Sequence, residues 1–190
     1  NKKQTTEYTL VQPYKFPIFE NGVEKGITEE GIALGRRLFY DPILSGDGTM
    51  ACATCHVQED GFSDKRKFSI GVENLPGKRQ AMAVFNMAWH ENEFFWDGRA
   101  HLLRDQSLMP IQDPLEMNET LANVIEKLSN EKTYRDQFSR AFGSTEITAE
   151  KISLALEQFM MSIVSSDSKY DKSLAGTTSL TPSEERGRKL

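Results

Sequence analysis

Apolar residues recur at helical spacing in several stretches of this chain, separated by longer segments without a period, and that division defines the expected elements. Thr28 stands as an N-cap, Glu29 and Glu30 fill a first turn that favours negative charge, and Ile32, Gly35, Leu38 and Phe39 follow on one stripe. Asp41-Pro42 closes this helix. Farther on, Leu121, Val124, Ile125 and Leu128 sit at i, i+3, i+4 and i+7 behind a cap at Asn118, and the pattern runs on through Tyr134, Phe138 and Phe142 to a stop at Gly143. Thr148 caps another helix, with Ile152, Ala155, Leu156, Phe159, Met160 and Ile163 on one face. Shorter helices are expected over Ala81–Trp89 and Leu102–Leu108. Met160 and Met161 fall inside the regular pattern and read as core. The fold class is all-α.

The segments between are just as informative. Residues 1–26 read as an extended arm, punctuated by Pro13, Pro17, Gly22 and Gly26, whose Tyr14, Phe16, Ile18 and Phe19 show no helical period and are expected to wrap a neighbouring surface. From Val57 to Gln80 there is no period either, and the composition is that of a loop, with Phe62 and Phe68 as anchors. The stretch from Leu180 to Leu190 echoes Ile27 to Leu38, with a threonine cap, a glutamate pair and a Gly-Arg step in both. This divides the chain into the arm, a domain over 27–175, and at 176–190 the start of a second, truncated copy.

At 190 residues the chain is long enough for one sizeable core. A net charge of -5 with scattered Lys and Arg argues against nucleic acid or an anionic membrane surface as a partner. No apolar run approaches the length of a membrane span, and the first residues do not lead into a signal-peptide core.

Both cysteines and one of three histidines fall in Cys52-Ala53-Thr54-Cys55-His56. C-x-x-C-H is the attachment sequence of a c-type haem: two thiols one helical turn apart reach one edge of the macrocycle, and the histidine that follows serves as proximal iron ligand. A dithiol redox motif would want a strand–helix–strand setting, whereas Leu44-Ser45-Gly46-Asp47-Gly48-Thr49 is turn-rich; structural zinc would want a second ligand pair that the chain lacks. The unpatterned segment after His56 then reads as a loop over the haem. Because c-type haem is attached outside the bacterial cytoplasm, the protein is expected to be periplasmic, with a signal peptide removed or omitted from this chain.

Several further strings complete a pattern: Gly35-Arg36-Arg37-Leu38-Phe39-Tyr40-Asp41-Pro42, the turn at 44–49, Phe95-Trp96-Asp97-Gly98-Arg99-Ala100, Gln106, Pro110-Ile111 and Pro114-Leu115-Glu116-Met117. In this order the chain, from about Thr28 to Leu190, resembles the bacterial di-haem cytochrome c peroxidases and their MauG-type relatives. The resemblance implies a cytochrome c-like fold in two tandem domains, the N-terminal haem reacting with peroxide and the C-terminal one admitting electrons. It makes His56 the proximal ligand, Glu116 the distal acid–base group, Gln106 its neutral hydrogen-bond partner and Trp96 the aromatic between the two haems. A carboxylate suits that task, because heterolysis of the O–O bond requires a proton to be taken from one oxygen and returned to the other.

The chain departs from the pattern twice. The loop that in many relatives carries a resting-state iron ligand reads Ser69-Ile70-Gly71-Val72-Glu73-Asn74, and no histidine lies between His56 and His90. The site is therefore expected to be open in the oxidised state, with His90 and His101 as structural residues. Gln80 stands where the family often has an asparagine associated with an interdomain calcium, which leaves calcium as an optional ligand. The expected function is reduction of hydrogen peroxide to water with electrons from a small donor protein, a cytochrome c or cupredoxin, passed through the second haem domain; a homodimer is compatible with it. The alternatives are a MauG-type oxidase acting on a protein or organic substrate, and a simple electron-transfer cytochrome whose iron is closed by Met82, Met87, Met109 or Met117.

Overall fold

The computed structural model describes residues 5–19, 26–90 and 93–190, and among them the secondary structure is eight α-helices, three 3-10 turns and isolated β-bridges, with no strand. The first helix, α1 (Glu29–Tyr40), begins where the sequence places it: the Thr28 hydroxyl accepts from the Gly31 N–H at 3.0 Å, behind which Glu29 and Glu30 complement the helix dipole. It lies against α6 (Ala149–Ser162), whose cap Thr148 accepts from the Lys151 N–H at 3.2 Å. At Gly35 the two backbones approach so closely that a Cβ would stand 1.8 Å from the Ala155 carbonyl oxygen. Only glycine fits there. Leu34, Leu38, Ile152 and Leu156 are sealed in this interface, each contributing about 1.5–3 kcal/mol of apolar burial.

Two helices close one flank, α4 (Leu121–Asn130) and α5 (Lys132–Phe142), burying Val124, Leu128, Tyr134 and Phe138. The Tyr134 hydroxyl donates to Asp41 Oδ2 at 2.6 Å, and the Arg37 guanidinium lies 4.5 Å over its ring, which fixes the end of α1 to α5. On its other side α6 packs against α3 (Leu103–Gln112). The single turn α2 (Cys52–Cys55) sits beside α1. Two short helices end the chain, α7 (Lys169–Leu174) and α8 (Pro182–Lys189), the latter opened by a capping box in which Thr181 and Glu184 satisfy each other's backbone N–H. The start signals at both copies of the echo are thus helix starts. No helix among the described residues is long and apolar enough to cross a membrane.

Four sequence expectations are corrected. Ala81–Trp89 is no helix: it runs extended to a 3-10 turn at Met87–Trp89, because Asn86 takes a left-handed conformation (φ 57°) and exchanges hydrogen bonds with Ser165, while its N–H donates to the Ile163 carbonyl. Asn118 does not cap α4; it too has positive φ (45°), its amide donates to Glu73, and Thr120 caps the helix through the Asn123 N–H at 3.2 Å. The long pattern to Phe142 is two helices broken at Glu131, whose extended ψ of 111° ends one and opens the other. And α3 starts one residue later than expected and outruns Leu108 to Gln112, keeping Pro110 in its last turn, where the missing N–H leaves the Gln106 carbonyl without its helical donor.

The arm, as far as residues 5–19 describe it, is extended apart from a turn near Tyr14, and it is docked at both ends. Its start pairs with the entrance to α1 through the Tyr8 and Glu29 N–H groups. Its far end meets Trp89, whose indole donates to the Pro17 carbonyl at 3.0 Å and packs edge-on against Phe16.

Candidate functional site

A cavity of about 580 Å³ opens between α2, α3, α6 and the loops at 69–84 and 94–99, and it is lined by Cys52, Cys55, His56, Trp96, Gln106 and Glu116 together. Residues spread over 65 positions of sequence therefore meet in one space of the size that holds cofactors.

The attachment turn is built locally. The buried Ser45 hydroxyl accepts from the Met50 N–H, Asp47 gathers the Thr49 N–H and hydroxyl, and the Gly46 N–H donates to the Met117 carbonyl at 2.8 Å, so the chain arrives at Ala51 already tied to the opposite wall. One turn of α2 then carries both thiols. No disulfide joins them, and burial pushes the Cys52 thiol up to about 12 and that of Cys55 upward as well. His56 follows, with Nδ1 at 3.1 Å from the Phe62 carbonyl oxygen, and burial lowers its pKa. With Nδ1–H donating, the lone pair is left on Nε2, and a neutral imidazole oriented in this way is the form that ligates a metal. Two neutral thiols and this imidazole on one wall of a largely apolar cavity fit a covalently held haem.

The wall carrying Glu116 is a loop clamped from two sides. Within it Asp113 accepts from the Leu115 N–H through its side chain and from the Glu116 and Asn118 N–H groups through its carbonyl. From outside, the Val72 N–H donates to the Glu116 carbonyl at 2.9 Å, and Gly71 comes so near that a Cβ would stand 2.1 Å from the Leu115 carbonyl oxygen. Asn118 adds a bond to Glu73 at 3.0 Å. Burial raises the pKa of Glu116, the Asp113 charge adds to this, and Arg99 opposes both. The result is a carboxyl whose proton is held more firmly than in water.

Trp96 sits at the mouth, 60% exposed. Its indole donates to the Gln80 carbonyl at 2.9 Å, while the Gln80 amide donates to the Asp64 carbonyl at 2.9 Å. Beside it Asp97 bridges Arg79 (3.0 Å) and Arg99 (2.8 Å), and the Arg99 guanidinium lies 3.6 Å over the Phe95 ring.

Other sequence candidates separate cleanly. Met82, Met87 and Met117 line the cavity and Met109 does not. His90 lines it with its ring 4.8 Å from Phe94, whereas His101 lies outside it, bonded to Glu93 at 3.0 Å. Val72, at the position of the absent loop ligand, is outside the lining; Ile70 and Gly71 stand in that part of it. Phe62 packs on Phe39, Phe68 lies under Lys67, and neither reaches the cavity. Sequence reasoning missed the brace below the site: buried Asp64 accepts from the Arg66 N–H and guanidinium and from Ser69, a cavity residue. Its only signal was the Asp-x-Arg spacing, which is common in loops.

A family model described as di-haem cytochrome c peroxidase matches residues 29–179. The chain is 37% identical over 162 residues to the methylamine utilization protein MauG of Methylophilus methylotrophus, covering 85% of this chain and 48% of that protein. It is 37% identical over 155 residues to the cytochrome c551 peroxidase of Nitrosomonas europaea, covering 80% of this chain and 46% of that protein. The crystal structure of a MauG-like protein associated with microbial copper homeostasis superposes with a TM-score of 0.81 at 33% identity, covering 94% of this chain and 54% of that one. The chain thus spans a little under half the length of these curated relatives.

Proposed function

Because the chain belongs to the di-haem cytochrome c peroxidase family, and so has a c-type haem as cofactor, we propose that it is the peroxide-reacting domain of a periplasmic peroxidase that reduces hydrogen peroxide to water. The observation that carries this reading is the meeting of the C-x-x-C-H residues with Glu116 and Gln106 around one cavity. Cys52 and Cys55 hold the haem as thioethers and His56 ligates its iron through Nε2. When bound, the haem supplies the redox chemistry by which two electrons enter the O–O bond.

Glu116 takes the proton from one peroxide oxygen and returns it to the departing one, which leaves as water, and two electrons with two further protons convert the remaining oxygen to a second water. Its raised pKa suits a group that must both accept and donate near neutrality. Gln106, a neutral amide, orients peroxide without competing for the proton. The exposed indole of Trp96 relays electrons that a second haem domain receives from a small donor, a cytochrome c or cupredoxin. Gln80 spends its side-chain amide nitrogen on the Asp64 carbonyl and its main-chain carbonyl on Trp96, which fixes this region through hydrogen bonds of the chain itself and leaves calcium optional. No histidine lies on the 69–74 loop, and His90, which lines the cavity besides His56, is packed on Phe94, so peroxide enters the oxidised site without a loop having to move aside.

The test is Glu116→Gln in the full-length protein. It should keep haem content and folding while lowering peroxide turnover by roughly two to four orders of magnitude. Turnover near the wild-type rate would remove Glu116 from the mechanism. The similarity to MauG proteins supports a second reading, oxidation of a protein or organic substrate through the same exposed Trp96, which a search for oxidised products in the absence of a donor cytochrome would reveal.

A further inference from the structure

Among the described residues, positive φ outside glycine falls on three asparagines, which tolerate it, and on Lys15, Glu93, Phe62 and Phe95. Phe95 belongs to the turn that presents Trp96. Phe62 lies elsewhere, behind His56 and outside the cavity lining. There the chain folds back on itself in a tight loop: the Val57 N–H donates to the Ser63 carbonyl at 3.0 Å and the Phe62 N–H to the Val57 carbonyl at 2.9 Å. The loop closes through two left-handed residues in succession, Gly61 (φ 68°) and Phe62 (φ 54°). Glycine takes this conformation freely, whereas phenylalanine takes it at a cost in folding free energy and keeps it only where its surroundings hold it.

Two contacts show what holds this residue and what it holds. Its ring is wedged against Phe39 at 6.3 Å between centroids, and Phe39, a cavity residue, lies 6.2 Å from the His56 ring. Its carbonyl oxygen stands 3.1 Å from His56 Nδ1, and because rotation about N–Cα carries the carbonyl with it, a negative φ at Phe62 would turn this oxygen away. We propose that Phe62 is a positioning residue for the proximal ligand: its ring against Phe39 locks the left-handed main chain, and that main chain aims the carbonyl at the imidazole and so sets how strongly His56 donates to iron. The inference rests on the haem reading above, in which Nε2 is the ligating atom. An Nδ1–H shared with a carbonyl makes Nε2 more basic, and a more basic ligand favours ferric iron, which lowers the reduction potential. The ring of Phe62 does not reach the cavity, so its loss acts on the iron only through His56.

The experiment uses the full-length holoprotein and reads two quantities that a merely structural role would not move: the iron–histidine stretch in the Raman spectrum of the reduced protein, and the reduction potential of each haem. Phe62→Gly frees the main chain and removes the wedge. One haem potential should then rise and the iron–histidine stretch should fall, with haem content unchanged, while the potential of the other haem stays where it is. Phe62→Tyr keeps the wedge and should keep both quantities at their wild-type values. Unmoved potential and stretch in Phe62→Gly overturn the inference, and so does a Phe62→Tyr protein displaced as far as Phe62→Gly. Should Phe62→Gly lose its haem, Phe62→Leu, which shortens the wedge without emptying its place, carries the same test: a smaller rise in potential is expected, and no rise overturns the inference. The two readings fail differently. A wild-type protein without covalent haem or without an iron–histidine stretch sinks the haem reading and this inference together, whereas a stretch that is present and indifferent to Phe62 sinks this inference alone.

Discussion

The α1–α6 interface and the loop wall around Glu116 both depend on a glycine pressed against a carbonyl, Gly35 on Ala155 and Gly71 on Leu115, yet they are held in different ways. The first joins two regular helices across a sealed apolar seam, where Leu34, Leu38, Ile152 and Leu156 supply the free energy. The second joins two irregular segments through single hydrogen bonds, Val72 to Glu116 and Asn118 to Glu73, with charged residues at hand. Helix packing makes the scaffold, and a net of backbone bonds sets the chemical groups on it. Stability and reactivity are therefore expected to respond to different substitutions.

The largest test of that division removes the cofactor's anchors. Cys52→Ser/Cys55→Ser should abolish covalent haem, against one haem per 190-residue chain in the wild type by intact mass, while circular dichroism keeps most of the helical signal of α1, α4, α5 and α6. Collapse of all helicity would mean that the scaffold depends on the haem and that the two regions are not separable.

Next come the two glycines. Gly35→Val should destabilise by about 3 kcal/mol or more, because the nearest atoms are helix backbone and have no room to retreat. Gly71→Ala should destabilise less than Gly35→Val, since two loops rather than two packed helices must shift, and should lower peroxide turnover by moving Glu116. Equal losses of Tm would show that the wall is packed as rigidly as the helices.

The smallest effect concerns Asp64. Arg66 and Ser69 hold its carboxyl down at about 2 against an ordinary 3.8. A depressed acid adds stability that is full above the unfolded pKa and is lost as pH falls through the folded one, so this contribution should disappear between about pH 4 and pH 2. With Arg66 half-exposed, solvent screening limits it to about 1–2 kcal/mol. Asp64→Asn should flatten acid unfolding in that window, and an unchanged acid profile would show that the brace is not electrostatic.

How much was legible in the sequence follows the same boundary. The starts of α1 and α6 were readable because a threonine cap and a helical period coincide at Thr28 and Thr148, and that of α8 because Thr181 echoes the cap at Thr28. The break at Glu131 was invisible, since Leu128 and Tyr134 are both core residues and the apolar period passes smoothly across it. Ala81–Trp89 misled for a related reason: Ala81, Met82, Ala83, Val84 and Met87 line the cavity, and a segment that lines a cofactor is apolar without being periodic. The attachment residues could be named from spacing alone, because C-x-x-C-H is a local geometry. Glu116, Gln106 and Trp96 could be named only by resemblance, for nothing in a single glutamate or glutamine signals that the fold will turn it toward a cavity. The Asp64 brace needed the structure, because Asp-x-Arg is common in loops and nothing in it shows that the carboxyl is buried beneath a cavity residue.

The loop wall is expected to offer peroxide an unobstructed approach. Electron paramagnetic resonance of the oxidised full-length protein tests this directly. The prediction is a high-spin ferric signal amounting to one haem per chain, since the 69–74 loop carries no imidazole and His90 is packed on Phe94. A wholly low-spin spectrum in which His90→Ala or His101→Ala converts one haem to high spin would contradict it, by showing that a histidine closes the site.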